Sequence, residues 1–135
     1  MSKEKEIAMI FKEILDRTNE LADVLEKKPI DIDFIRTQRK SYLEHYEENK
    51  ALLELPVSEI SSSAGFSLIY RGFGKDMSGM YTLVGLNYKN LDTTYGVDGK
   101  EEEFEGYVNQ VLNFRTFLNK NFKKVIKKME KASGM

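Results

Sequence analysis

Hydrophobic positions recur at helical spacing over most of this chain, and the exceptions gather in one place. From Lys3 to Lys27, Ile7, Ile10, Phe11, Ile14, Leu15, Leu21, Ala22 and Leu25 return at intervals of three and four between charged neighbours, which predicts an amphipathic helix. Lys27 and Lys28 near its end suit the helix dipole, and Pro29 stops it. A second helix is predicted from a cap at Asp31 or Asp33 to about Leu55, closed by Pro56. Its stripe of Ile35, Tyr42, Leu43, Tyr46 and Leu53 is interrupted by Gln38, Arg39 and Asn49 on or near the same face. That half-polar face predicts packing at the edge of the fold, with the lining of a groove as the alternative. The short link between the two helices makes them an antiparallel helical hairpin.

The last helix is predicted from about Glu101 to Lys131. Its apolar face is the strongest in the chain: Phe104, Tyr107, Val108, Val111, Leu112, Phe114, Leu118, Phe122, Val125, Ile126 and Met129. Glu101, Glu102, Glu103 and Glu105 occupy its start, and Lys120, Lys123, Lys124, Lys127, Lys128 and Lys131 its end, as the macrodipole favours. The final residues, Ala132 to Met135, are expected to fray.

Between these helices the character of the chain changes. A serine-rich connector, Val57 to Ala64, leads into AGFSLIYRGFGKDMSGMYTLVGLNY, residues Ala64 to Tyr88, where two periodicities compete. As strands, Gly65 to Phe73 and Met80 to Tyr88 are short aromatic and aliphatic runs around a loop from Gly74 to Gly79. As a helix, Phe66, Ile69, Tyr70, Phe73, Met77, Met80, Tyr81, Val84, Tyr88 and Leu91 keep the three-and-four spacing, and Gly65, Gly72 and Gly79 form a seam. Glycines at 65, 72, 74, 79 and 85 would cost about 1 kcal/mol each inside a helix. That sum, roughly 5 kcal/mol, is comparable to the net stability of a domain and favours the hairpin. Asn90 to Lys100 reads as turn chemistry, with Asp98-Gly99 the sharpest breaker and a short third strand available at Thr93 to Val97.

The expected fold is therefore α+β. It comprises an N-terminal antiparallel helical hairpin, a central glycine-rich β-hairpin or small antiparallel sheet, and a long C-terminal helix. The alternative is an all-helical bundle in which the central stretch is helical and its glycine seam buried. Without repeats or linkers, residues 1–135 form one domain, long enough to bury roughly two thirds of the surface of the unfolded chain.

Composition narrows the chemistry. With 21 Lys and Arg against 22 Asp and Glu, the net charge of −1 offers no global attraction to nucleic acid or anionic lipid, so electrostatic function must be local. The absence of cysteine removes disulfides, thiolate catalysis and Cys-ligated metals. The start has no signal-like apolar core, and no run approaches a membrane span because Arg71, Lys75 and Asp76 interrupt the best candidate; a cytoplasmic protein is expected.

Motifs are few. His45, the sole histidine, has Glu48 about one turn away, but Tyr42 stands where a Glu-x-x-His metal motif needs a carboxylate. Arg71-Gly72-Phe73-Gly74 copies only the opening of an RNA-recognition signature, Gly74-Lys75 lacks the rest of a P-loop, and Asp92 to Glu103 carries Val97 where a calcium loop requires glycine. No cofactor or metal is expected. The expected function is a non-catalytic protein-binding module, of the regulator, immunity, antitoxin or small-chaperone type, with a protein partner or a homodimer. Its contact residues would be Tyr70, Arg71, Phe73, Lys75, Met77, Met80 and Tyr81, on a hairpin edge open to strand addition. The alternative is a small-molecule or enzymatic domain with a pocket between sheet and helices, lined by Tyr42, His45, Tyr46 and Arg71. Nucleic-acid binding by the lysine-rich C-terminal helix ranks third.

Overall fold

The structure, a computed structural model, describes residues 2–134, and for residues 73–78 the backbone alone. It is 83% helical, with no strand among the described residues. The elements are α1 (Lys3–Glu26), α2 (Ile32–Leu53), the single turn α3 (Val57–Ile60), α4 (Ala64–Thr94), α5 (Glu101–Asn121) and α6 (Lys123–Ala132). The caps follow from sequence: Ser2 accepts from the Lys5 amide, Asp31 from Phe34 and Ser63 from Phe66, each satisfying a first-turn donor.

The β-hairpin expectation is overturned. Residues 64–94 form one helix, and Thr93 to Val97 holds the end of α4 and a turn instead of a third strand. Only helical spacing turns Phe66, Tyr70, Tyr81, Val84, Tyr88 and Leu91 to one side, where all six are buried. At about 1.5–3 kcal/mol for each large apolar side chain, that burial is on the order of 9–18 kcal/mol and exceeds the glycine cost. The glycine seam is not buried either. Gly65, Gly72 and Gly79 are exposed, and a Cβ added at Gly72 or Gly79 would meet nothing within 4 Å among the described residues. The serines of the connector supply the α4 cap, and the predicted C-terminal helix is divided at Phe122, whose backbone stays in the right-handed helical region. The chain end is closed by Gly134 at a φ of 79°, with its amide on the Lys131 carbonyl.

α4 is the axis of the bundle: it contacts α1, α2, α3, α5 and α6. α1 packs against α5, α4 and α6, whereas α2 packs chiefly on α4 and touches α1 little. The pairings Arg17 with Gln38 and Glu13 with His45 run in opposite order along α1 and α2, so these helices are antiparallel. Arg36 with Asp92 and Asn49 with Tyr81 show the same for α2 and α4. The buried side chains form one contiguous cluster, in which Phe11 stacks on Phe122 at 5.0 Å. Among the described residues no helix is long and apolar enough to cross a membrane.

Candidate functional site

The junction of α1, α2 and α4 is held by a buried arginine and a cluster of tyrosines. Arg17 is only 8% exposed. Its guanidinium donates to Glu13 Oε1 at 2.7 Å, Gln38 Oε1 at 2.9 Å and Ser41 Oγ at 3.2 Å, and lies 5.2 Å from the centroid of the Tyr42 ring. Burial opposes its charge, but the bond to Glu13 and the nearby Tyr88 hydroxyl outweigh burial and hold its pKa above the ordinary value. The polar residues on the inner stripe of α2 are thereby used: Gln38 meets Arg17, Arg39 pairs with Asp92, and Asn49 donates to the Tyr81 hydroxyl at 3.4 Å.

Tyr42 lies against Tyr81 at 5.1 Å and Tyr88 at 5.8 Å between ring centroids, and its hydroxyl donates to the Tyr81 carbonyl. That approach depends on Gly85. A Cβ added there would lie 3.0 Å from Tyr42 Cε1, so glycine lets the ring rest on the α4 backbone. Burial raises the pKa of Tyr42, Tyr88 and Tyr70, and pushes Tyr81 up to about 12.

Beside this contact runs a cleft of about 210 Å³ between α2 and α4, lined by Arg39, Tyr42, Leu43, Tyr46, Thr82, Gly85, Leu86 and Lys89. Leu43 and Leu86 at its mouth are 52% and 44% exposed. A second cleft, about 510 Å³, opens between α1 and α2 and is lined by Glu6, Met9, Ile10, Glu13, Arg17, His45, Glu48 and Asn49. There His45 Nδ1 lies 3.0 Å from Glu13 Oε1. Among the described residues no group of three or more histidines or carboxylates is arranged to hold a metal ion.

The residues expected to share one pocket are thus divided. Tyr42 and Tyr46 line the α2–α4 cleft, His45 faces the α1–α2 cleft, and Arg71 lines neither. The sheet that was to wall that pocket is a helix. Of the expected contact residues, Tyr70 and Tyr81 are buried at 3% and 0% exposure, Met80 is half-buried and Arg71 exposed, while the side chains of Phe73, Lys75 and Met77 lie outside the described residues. Leu86, Lys89 and Arg17 carry no expectation from the sequence, and Gly85 enters there only as a cost to a helix. The signal for Gly85 was its place one turn beyond Tyr81, inside the buried stripe.

Most basic side chains at helix contacts are paired, as in Arg36 and Arg39 with Asp92 or Arg115 with Glu26. The lysines at residues 120–131 differ: among the described residues none is in an ion pair. Four pairs of these lysines stand four residues apart, 120–124, 123–127, 124–128 and 127–131. Each such like-charge pair costs a helix about 0.2–0.5 kcal/mol, so the set costs roughly 1–2 kcal/mol at low salt. The chain matches no protein-family model, no curated protein and no solved structure.

Proposed function

We propose that the chain is a non-catalytic protein-binding module that seats an amphipathic helix of a partner protein across the α2–α4 cleft. The supporting observation is that Leu43 and Leu86 stand about half exposed on either side of a tyrosine-floored depression. Clustered exposed apolar side chains around a concave floor mark interaction surfaces, whereas single ones do not. At about 210 Å³ the cleft falls below the roughly 300–1,000 Å³ of ligand pockets, and it suits one or two side chains of a partner. Lys89 lines it and no carboxylate does, while Arg39 is already paired with Asp92, so the fitting helix carries an acidic residue for Lys89 beside its apolar anchors. A regulator, an immunity protein, an antitoxin or a small chaperone would all use such a surface.

A photo-crosslinking residue in place of Leu43 or Leu86 tests this, with exposed Asn109 on α5 as the control position. The expected result is one partner captured at 43 and 86 but not at 109, with Leu86→Glu abolishing capture from position 43 while leaving the melting curve unchanged. Equal capture at all three positions, or capture indifferent to Leu86→Glu, would refute the proposal.

The α1–α2 cleft favours a second reading, a small-molecule site, because its volume of about 510 Å³ lies within the ligand range and brings His45, Glu13 and Glu48 together. A thermal-shift screen separates the two, since a ligand at about 100 times its Kd adds about 2.7 kcal/mol to stability. Under this reading His45→Ala removes the shift; a screen of metals and metabolites without any shift counts against it.

A further inference from the structure

We propose that the end of the molecule formed by the last turns of α5 and by α6 is a docking surface for single-stranded nucleic acid, independent of the α2–α4 cleft. Lys120, Lys123, Lys124, Lys127, Lys128 and Lys131 are all exposed, and they share one side because Phe122, Val125, Ile126 and Met129 are buried on the other. Dipole complementarity accounts for Lys120 and Lys131, which lie in the last turns of α5 and α6. It does not account for Lys123 and Lys124. These open α6, where the dipole disfavours cations and no acidic residue offsets them. The arrangement is unfavourable in the free protein and becomes favourable against a line of negative charge.

Length and an exposed ring identify the polyanion. From Lys123 to Lys131 α6 rises about 12 Å, which at about 3.4 Å per phosphate matches about four nucleotides of one strand, with Lys120 extending the line. Sites for single strands span about 4–16 nucleotides. Phe117 is 48% exposed, one turn before Lys120 and Asn121 and two turns before Lys124, so an aromatic face stands beside the cations as a platform for a base. An anionic lipid surface fits less well. Interfacial helices bind in proportion to the apolar area they insert, and the apolar residues of α6 face the core.

The test uses the full chain with a fluorescein-labelled oligodeoxythymidine of about 12 nucleotides, followed by anisotropy across a potassium chloride series. Co-sedimentation with vesicles containing about 30% phosphatidylserine runs beside it. Four to six phosphate contacts predict a log–log salt slope of about −3 to −4. Lys124→Glu/Lys127→Glu/Lys128→Glu should weaken binding at least tenfold and flatten that slope by about 2. The corresponding triple Gln variant repeats the measurement should the reversal disturb the circular-dichroism melt. Phe117→Ala should weaken binding by about 5- to 100-fold with the slope unchanged, as lost stacking requires. Absence of binding at about 25 mM salt, a flat slope, indifference to the lysine or Phe117 changes, or tighter binding to the vesicles than to the oligonucleotide would each overturn the assignment.

Discussion

Three glycines of α4 make opposite predictions from the same substitution. Alanine in place of glycine inside a helix gains about 1 kcal/mol of propensity wherever the added methyl has room. Gly72 and Gly79 have that room among the described residues, so each alanine variant should be more stable by about 0.5–1 kcal/mol. For a chain of this size that corresponds to roughly 3–5 °C in Tm per kcal/mol. At Gly85 the methyl would stand 3.0 Å and 3.4 Å from two carbons of the Tyr42 ring. That ring has little freedom to retreat, because its hydroxyl is bonded to the Tyr81 carbonyl and its faces meet Tyr81, Tyr88 and Arg17. Overpacking costs about 1–3 kcal/mol, so Gly85→Ala should be net destabilising by about 1 kcal/mol. The gap between Gly85→Ala and Gly79→Ala, about 1–3 kcal/mol, is the sharper quantity because propensity cancels from it. Urea unfolding followed by circular dichroism measures it, with the slope m expected to be the same for all variants. Should Gly85→Ala stabilise as much as Gly79→Ala, the glycine is not what seats Tyr42. Should Gly72→Ala or Gly79→Ala destabilise, their face is covered in solution, as a homodimer would cover it.

Tyr42→Phe should cost about 1 kcal/mol by deleting the hydroxyl bond to the Tyr81 carbonyl; an unchanged urea midpoint would show that this bond contributes nothing. Tyr42, Tyr70, Tyr81 and Tyr88 all have folded pKa values raised by burial above the ordinary 10.0, so the unfolded chain loses these protons first as pH rises. Stability should therefore decline from about pH 10 upward, with phenolate absorbance growing in step with loss of helical signal; ionisation of all tyrosines near pH 10 in an intact helical protein would contradict the burial. Arg36 first, then Arg39, hold the Asp92 carboxyl below its ordinary 3.8, so its contribution is present above that value and lost as pH falls through the lower folded pKa. Asp92→Asn should lower stability at pH 7 by up to about 1 kcal/mol and remove part of the acid dependence below about pH 4, which parallel urea titrations at the two pH values measure.

Helix α1 and the span of α5 were legible because their apolar stripes are uninterrupted at the positions that matter, and α2, whose stripe is interrupted, was legible from its cap at Asp31 and the stop at Pro56. α4 was not, although its stripe was visible. The five glycines were weighed against propensity alone, and the burial of six large side chains, which needs neighbours on α1 and α2, enters no local pattern. Ser63 belongs to the serine-rich connector of the sequence, yet its hydroxyl accepts the Phe66 amide and starts the helix. The division at Phe122 has no periodic signature, since the three-and-four spacing runs straight through it. Arg17 was invisible as a hub because its partners Gln38 and Ser41 lie 21 and 24 residues away. Phe117 borders the α5 stripe, and spacing cannot say on which side of that border a ring falls.

α2 fully buries only Ile35 and Tyr42, while α1 buries eleven residues. The two helices therefore differ in how they leave the native state. Structures open in cooperative units, the least anchored first, with free energies well below that of global unfolding. By that measure α2 is expected to open ahead of α1, its amides exchanging with solvent sooner, although its packing on α4 and its bonds to Arg17, Tyr81 and Asp92 hold it closed in the native state. Its release would bare the Tyr81–Tyr88 flank of α4 while α1, α5 and α6 keep that helix in place. The α2–α4 cleft thus lies between a helix anchored by many buried side chains and one anchored by few, and faster hydrogen exchange in α2 than in α1 is the expected mark of that difference.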